Sequence, residues 1–203
     1  MRSLILLLAI TLSAAVQAYQ PKEGVDYYDI KPTPPVGQGD EVKVTEFFMY
    51  TCPHCNHLEP KLKEWVDRLP PNVEFEHIPA MFGGSANLHG RTFFALQAIG
   101  EADRLHEKFF HAIHDQKRRL RTRGDIENFL AQNGVDLDKF REAFDSFAVQ
   151  TKVNRAAALM RRYGVRSVPV LIIDGRYRVM NTAHIFDTAD TLIQRVLEQR
   201  QGR

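Results

Sequence analysis

Cysteine is scarce in this chain: two residues in 203, Cys52 and Cys55. Neither sign of charge is in excess, with 27 Lys and Arg against 25 Asp and Glu. Internal repeats and low-complexity tracts are missing. Beyond residue 18, no apolar run approaches the ~20 residues that a transmembrane helix needs. Each absence excludes something. Balanced charge offers no basic surface for nucleic acid. Without a repeat there is no solenoid, and without a long apolar run no later stretch crosses a membrane. An apolar fraction of 44% is what an ordinary packed core requires.

Arg2 precedes an apolar stretch from Leu4 to Val16 that closes on Val16-Gln17-Ala18. A charged start, a short apolar region and a small-residue end form the pattern of a cleaved export signal. Residues 1–18 are therefore read as a signal peptide, leaving 185 of the 203 residues, from Tyr19 onward. An uncleaved anchor is the competing reading, but the stretch is too short to span a bilayer comfortably. No cysteine follows it to take a lipid. Export puts both cysteines where disulfides persist, which in a bacterium is the periplasm. The remaining length makes one domain, or one with a sizeable insertion. Residues 19–41 leave no room for a separate dimerisation domain, so a monomer is expected.

The cysteines lie in Thr51-Cys52-Pro53-His54-Cys55, after a strand-like run from Val42 to Tyr50. A helical pattern follows, with Leu58, Leu62, Trp65, Val66 and Leu69 on one face. Cys52 is thus expected where a strand hands over to a helix. There the first N–H groups have no partner and carry partial positive charge. A thiolate gains from both. Pro53 suits the first helical position, whose N–H is unpaired in any case. His54 adds a donor and, when protonated, a cation. Each effect lowers the Cys52 pKa. Cys55, one turn in, is expected to be enclosed and less acidic. Cys52 is read as the attacking sulfur and Cys55 as the resolving one. Taken alone, the C-x-x-C spacing also admits a static disulfide or half a zinc site. Glu46 interrupts the strand-like run and is read as a buried carboxylate with a raised pKa, placed to exchange a proton with Cys55. An edge carboxylate facing solvent is the alternative.

Along the rest of the chain, Tyr27-Tyr28-Asp29-Ile30 offers an edge strand within a lead-in broken by Pro32, Pro34, Pro35, Gly37 and Gly39. Val73 to Ile78 is a second strand, and the order strand, helix, strand predicts a βαβ unit with parallel strands. Pro60 is expected to kink the helix between them and Pro70-Pro71 to end it. A helical region follows: Asn87 to Ile99 closed by Gly100, Ala102 to about Gln116, Asp125 to Asn133 closed by Gly134, and two helices between Asp138 and Tyr163 closed by Gly164. Phe93, Phe94, Phe109, Phe110, Phe129, Phe140, Phe144 and Phe147 read as its core. His106, His111 and His114 read as surface histidines, because only the last two share a face and no Asp or Cys completes a tetrahedral set; no metal is assigned. Lys117, Arg118, Arg119, Arg121 and Arg123 read as a solvated loop. Val168 to Ile173 and Arg176 to Val179 are strands about an Asp174-Gly175 hairpin turn, and Asp187 caps a final helix.

Strand, Cys-Pro-His-Cys, helix, strand, then a hairpin and a last helix is the thioredoxin layout. Glu46-Phe47-Phe48, Cys52-Pro53-His54-Cys55 and Ser167-Val168-Pro169, with the helical insert and the export signal, make most of the mature chain resemble the DsbA family of periplasmic thiol:disulfide oxidases. The resemblance implies an α/β, thioredoxin-like fold with a helical domain inserted between an N-terminal βαβ and a C-terminal ββα unit. Residues 19–81 and 165–203 would form the thioredoxin-like domain and 82–164 the insertion. It also implies that Cys52–Cys55 is a redox-active disulfide working without a further cofactor. Cys52 would carry the mixed disulfide with substrate, Cys55 would resolve it and His54 would tune Cys52. Pro169 would be cis beside the disulfide, and Val168 would offer backbone hydrogen bonds to an extended substrate. A trans proline opening an edge strand is the plain alternative. Substrates would be reduced, unfolded, newly exported proteins, and a DsbB-like, quinone-linked membrane protein would reoxidise the pair. Met81, Phe82 and Leu88 are read as a possible apolar docking groove or as ordinary packing. In one respect the chain departs from the family: a Lys near the buried Glu has no counterpart in Glu74-Phe75-Glu76-His77. Competing readings are a reductase or isomerase on the same fold, a metal-binding protein using Cys52, Cys55, His54 or His57, and a binding module with a structural disulfide.

Overall fold

The computed structural model describes residues 19–32 and 41–201. The export segment at 1–18 and Pro34, Pro35, Gly37 and Gly39 lie outside the described residues. In chain order the elements are β1 (Tyr27–Asp29), β2 (Val42–Phe48), α1 (Pro53–Val66), β3 (Val73–Pro79), α2 (Gly84–Ala98), α3 (Ala102–His114), α4 (Arg123–Gln132), α5 (Leu137–Asp145), α6 (Phe147–Tyr163), β4 (Val170–Ile173), β5 (Tyr177–Met180) and α7 (Ile185–Gln201).

β2 has no polar face, and it takes a central place in a five-stranded sheet ordered β1-β5-β4-β2-β3. β3 pairs with it in parallel, setting Glu46 opposite His77. β4 pairs with it antiparallel, setting Glu46 opposite Leu171. β5 continues the antiparallel half, and β1 closes the edge by pairing Tyr27 with Val179. The expected βαβ and ββα units are therefore two parts of one sheet, with the helices α2 to α6 between them in the chain.

Side chains alternate across a strand, and the alternation divides the interior in two. Val42, Val44, Leu171 and Ile173 meet Leu58, Leu62 and Trp65 of α1 and Leu192 and Val196 of α7. The Trp65 Nε1–H donates to Asp190 at 2.8 Å, tying α1 to α7. Phe47, Val170 and Ile172 join the phenylalanines of the inserted helices. Phe147 is the exception among those expected in that core: it opens α6 and is 86% exposed.

The helices begin where their end groups find partners. α4 opens at Arg123, earlier than Asp125, because Thr122 and Asp125 form a reciprocal capping box. Arg123 is therefore part of a helix and pairs with Glu127 and Asp145. α2 opens at Gly84 rather than Asn87, whose side-chain oxygen accepts the Gly83 N–H instead. α5 and α6 divide at Ser146, whose hydroxyl accepts the Val149 N–H. Asp187 lies within the first turn of α7, which starts at Ile185.

Gly164 ends α6 with φ of +61°, and a Cβ there would lie 2.6 Å from Arg178 Nη1. That guanidinium donates to the Tyr163 and Gly164 carbonyls. Gly164→Ala is expected to destabilise the fold by about 1 kcal/mol or more, read as a lower urea midpoint. Gly124→Ala in α4 meets nothing nearer than Thr122 Oγ1 at 3.9 Å; it is expected to stabilise by ~0.4–1 kcal/mol.

Candidate active site

Cys52 is the N-cap of α1, with extended backbone and Pro53 in the first turn after it. The Cys52 N–H is used by the Met49 carbonyl at 2.9 Å, which turns the chain from β2 into the helix. Both cysteines carry free thiols. The Cys52 thiol is held down to about 6 from an ordinary 9.0. The largest cause is a hydrogen bond from the Cys55 thiol. Partial burial opposes it, and the N–H groups of Cys55 and His54 and the His54 charge add to it. Cys55 is fully buried. Its own pKa is pushed far up by the hydrogen bond with Cys52, by burial and by the negative charge of Glu46. The two sulfurs thus differ in the sense expected for an attacking and a resolving pair.

Val168 and Pro169 come from the far end of the chain to the same place. The Cys52 Sγ lies 3.5 Å from the Val168 carbonyl oxygen, and the Val168–Pro169 bond is cis. His54 and Pro53 are exposed at the helix start, as is His57 one turn on. Met81 and Phe82 line a shallow pocket with Met160 and Val165, of ≈ 410 Å³. Leu88 does not line it and packs against the insert core.

Glu46 is fully buried, and its carboxylate meets the His77 Nδ1 at 2.7 Å. Burial pulls the His77 pKa down, but the Glu46 bond and charge outweigh it and the net direction is up. The second carboxylate oxygen, Oε1, has no hydrogen-bond partner. The alternative of a solvent-facing edge carboxylate is thereby excluded. Sequence reasoning missed His77, although strand pairing contains the signal: it stands opposite Glu46 in parallel register. It missed Glu59 too, which is buried four residues after Cys55 on the same helix face. His106 is a correction. It is buried on α3 with Ala102, Leu105, Phe109 and Phe110, not at the surface, because its ring continues the apolar stripe of that helix. His114 is half-buried and donates to the Tyr50 carbonyl at 2.8 Å, while His111 is exposed and pairs with Asp115.

A family model described as a DSBA-like thioredoxin domain matches residues 85–193. The thiol:disulfide interchange protein DsbA of Pseudomonas aeruginosa is 36% identical over 182 residues, spanning 88% of this chain and 86% of that protein. The protein of the same name from Pseudomonas syringae pv. tomato is 38% identical over 183 residues, with 88% and 86% covered. Among solved structures, a variant of Pseudomonas aeruginosa DsbA aligns with a TM-score of 0.81 at 33% identity, covering 91% of this chain and 100% of that one. DsbA from Xylella fastidiosa aligns with a TM-score of 0.78 at 29% identity, over 91% and 100% of the two chains.

Ultraviolet absorbance of the thiolate, followed against pH, is expected to show a midpoint of about 6 in the reduced protein. Cys55→Ala removes the S–H donor and should raise it by roughly one pH unit or more. A hydrogen bond to a charged group is worth about 1.5–3 kcal/mol, and one pH unit corresponds to about 1.4 kcal/mol. Cys55→Ser keeps a donor and should raise it less.

Proposed function

The chain belongs to the DsbA family of thiol:disulfide interchange proteins, and from that membership we propose that it hands a Cys52–Cys55 disulfide to reduced, unfolded proteins in the periplasm. Its enzymatic class is thiol:disulfide oxidoreductase. The observation that carries the direction is the unequal pair of thiols. Every tenfold gain in thiolate population at Cys52 is worth about 1.4 kcal/mol, or about 30 mV for a two-electron couple. A thiolate favoured in the reduced protein makes the disulfide the better oxidant.

The exchange runs in two displacements. A substrate thiolate attacks Cys52 Sγ. A substrate–Cys52 bond forms, the Cys52–Cys55 bond breaks, and its electron pair leaves on Cys55, which takes up a proton. A second substrate thiolate then attacks the substrate sulfur of the mixed disulfide. The substrate disulfide forms and Cys52 leaves with the electron pair as a thiolate. Two electrons have passed from substrate to enzyme. The high Cys55 pKa favours its protonation in the first step, and the low Cys52 pKa favours its departure in the second.

Other residues take supporting roles in this reading. Glu46, with one oxygen unpartnered, is the proton partner for Cys55. His77 holds the other oxygen and stands in for the Lys of the family pattern. His54 and Pro53 favour the thiolate at the helix start, and the Val168 backbone beside Pro169 pairs with an extended substrate segment. Met81 and Phe82 offer it an apolar flank. A DsbB-like, quinone-linked membrane protein takes the two electrons back. Residues 1–18 direct export and the working form is a monomer.

The disulfide form is expected to oxidise a reduced, unfolded protein with one equivalent consumed per disulfide made. Equilibration with glutathione should give a potential above that of thioredoxin; a value as reducing as about −270 mV would overturn the oxidase assignment. A thiol whose pKa is depressed by folding adds stability that is full above its ordinary value of 9.0 and is lost as pH falls through about 6. The melting temperature of the reduced protein relative to the disulfide form should therefore rise with pH between about 6 and 9.0 and stay level below about 6.

A further inference from the structure

A cleft of ≈ 490 Å³ opens beside the Glu46–His77 pair, lined by Glu59, Leu62, His77, Phe93, Asp103 and His106. We infer that it is a binding site for a divalent transition-metal ion of the zinc type, with His77 Nε2, His106 Nε2 and a Glu59 carboxylate oxygen as ligands. The three side chains come from β3, α3 and α1, and one ligand atom from each lies within 4.8 Å of the others. Glu59 Oε2 and His106 Nε2 are 3.4 Å apart. That is close to the edge of a tetrahedron whose centre is about 2.0–2.1 Å from each ligand. Binding asks the third ligand to close in by up to roughly 1.5 Å.

Two further observations point to a ligand. Glu59 and His106 are 7% and 5% exposed, and Glu59 Oε2 and His106 Nε2 face each other at 3.4 Å, too poorly aligned for a full hydrogen bond and with no other partner. Buried polar atoms without partners are uncommon and destabilising. A cation between them satisfies both at once. In addition, each imidazole has its other nitrogen engaged. His77 Nδ1 meets Glu46 Oε2 at 2.7 Å, and His106 Nδ1 meets the Tyr50 hydroxyl at 2.9 Å. An outer carboxylate or hydroxyl that fixes a ring and leaves Nε2 free is the arrangement that metal-binding histidines have. Two imidazoles and a carboxylate suit zinc or a similar borderline ion, and three protein ligands leave a fourth position for water. The cleft gives that water room and gives the ion a way in. Asp103 and Glu107 add negative charge to its lining, and Lys63 opposes it. No sulfur takes part, although His77 joins the site to Glu46 and through it to the surroundings of Cys55.

The test uses metal-depleted protein with both cysteines replaced, Cys52→Ser and Cys55→Ser, titrated with Co²⁺ and then Zn²⁺. The expected result is one Co²⁺ per chain, with visible bands of a nitrogen–oxygen site and no sulfur charge-transfer band, displaced by Zn²⁺. Glu59→Gln and His106→Gln should each weaken binding by about tenfold or more, whereas His57→Ala and His111→Ala should not change it. Glu59→Gln nearly conserves shape, so circular dichroism and a cooperative melt establish that its fold is kept should His106→Gln fail to fold. Absence of Co²⁺ binding at micromolar concentration, loss of binding with the cysteines, or an affinity that Glu59→Gln leaves intact would overturn the site.

Discussion

A sulfur that prefers to be negative needs a donor that does not compete for the charge. In this fold the donor is the Cys55 thiol, and its hydrogen bond to Cys52 is the largest cause of the low Cys52 pKa. The remaining architecture serves that contact. β2 ends at Phe48, the Met49 carbonyl catches the Cys52 N–H, and α1 starts at Pro53. Cys55 then lies one turn inside, buried against the sheet. The helix end contributes its own N–H groups through Cys55 and His54, in line with the partial positive charge of any helix start. The difference between the two sulfurs is therefore made by one being at the mouth of the helix and the other behind it.

The polar groups behind Cys55 follow from strand register. Parallel pairing sets His77 beside Glu46, and the antiparallel partner at that position is apolar Leu171. A charge buried without a partner is strongly destabilising, whereas a hydrogen-bonded pair is tolerated. His77 makes Glu46 tolerable in the interior and leaves its second oxygen without a hydrogen-bond partner. A Lys is not needed to pair with Glu46 when His77 stands beside it.

Local pattern made much of this legible. The position of Cys52 follows from an apolar run, a proline and a helical stripe, all within one short stretch of sequence. The parallel βαβ unit and the Gly164 stop follow from similarly local signals. Non-local partners did not show. His77 pairs with a residue 31 positions away, and only the strand register connects them. Spacing among the three nearby histidines misplaces His106, whose environment is set by Ala102, Leu105, Phe109 and Phe110 of its own helix. The early start of α4 was readable in principle, since Thr122 and Asp125 have capping-box spacing. Phe147 shows the opposite failure: an aromatic in a helix reads as core until the helix start places it in water.

The segment from Gly164 to Pro169 is anchored at both ends. Arg178 grips the Tyr163 and Gly164 carbonyls, the Val165 N–H returns to Met160, and β4 takes over at Val170. The Val168 carbonyl beside Cys52 is thus presented on a pre-shaped rim. In the proposed exchange a disordered chain arriving there would give up its own conformational freedom, while the receiving backbone is already held by these bonds. In the function proposed above, such a rim asks only for an extended main chain, so one site would serve many unrelated sequences.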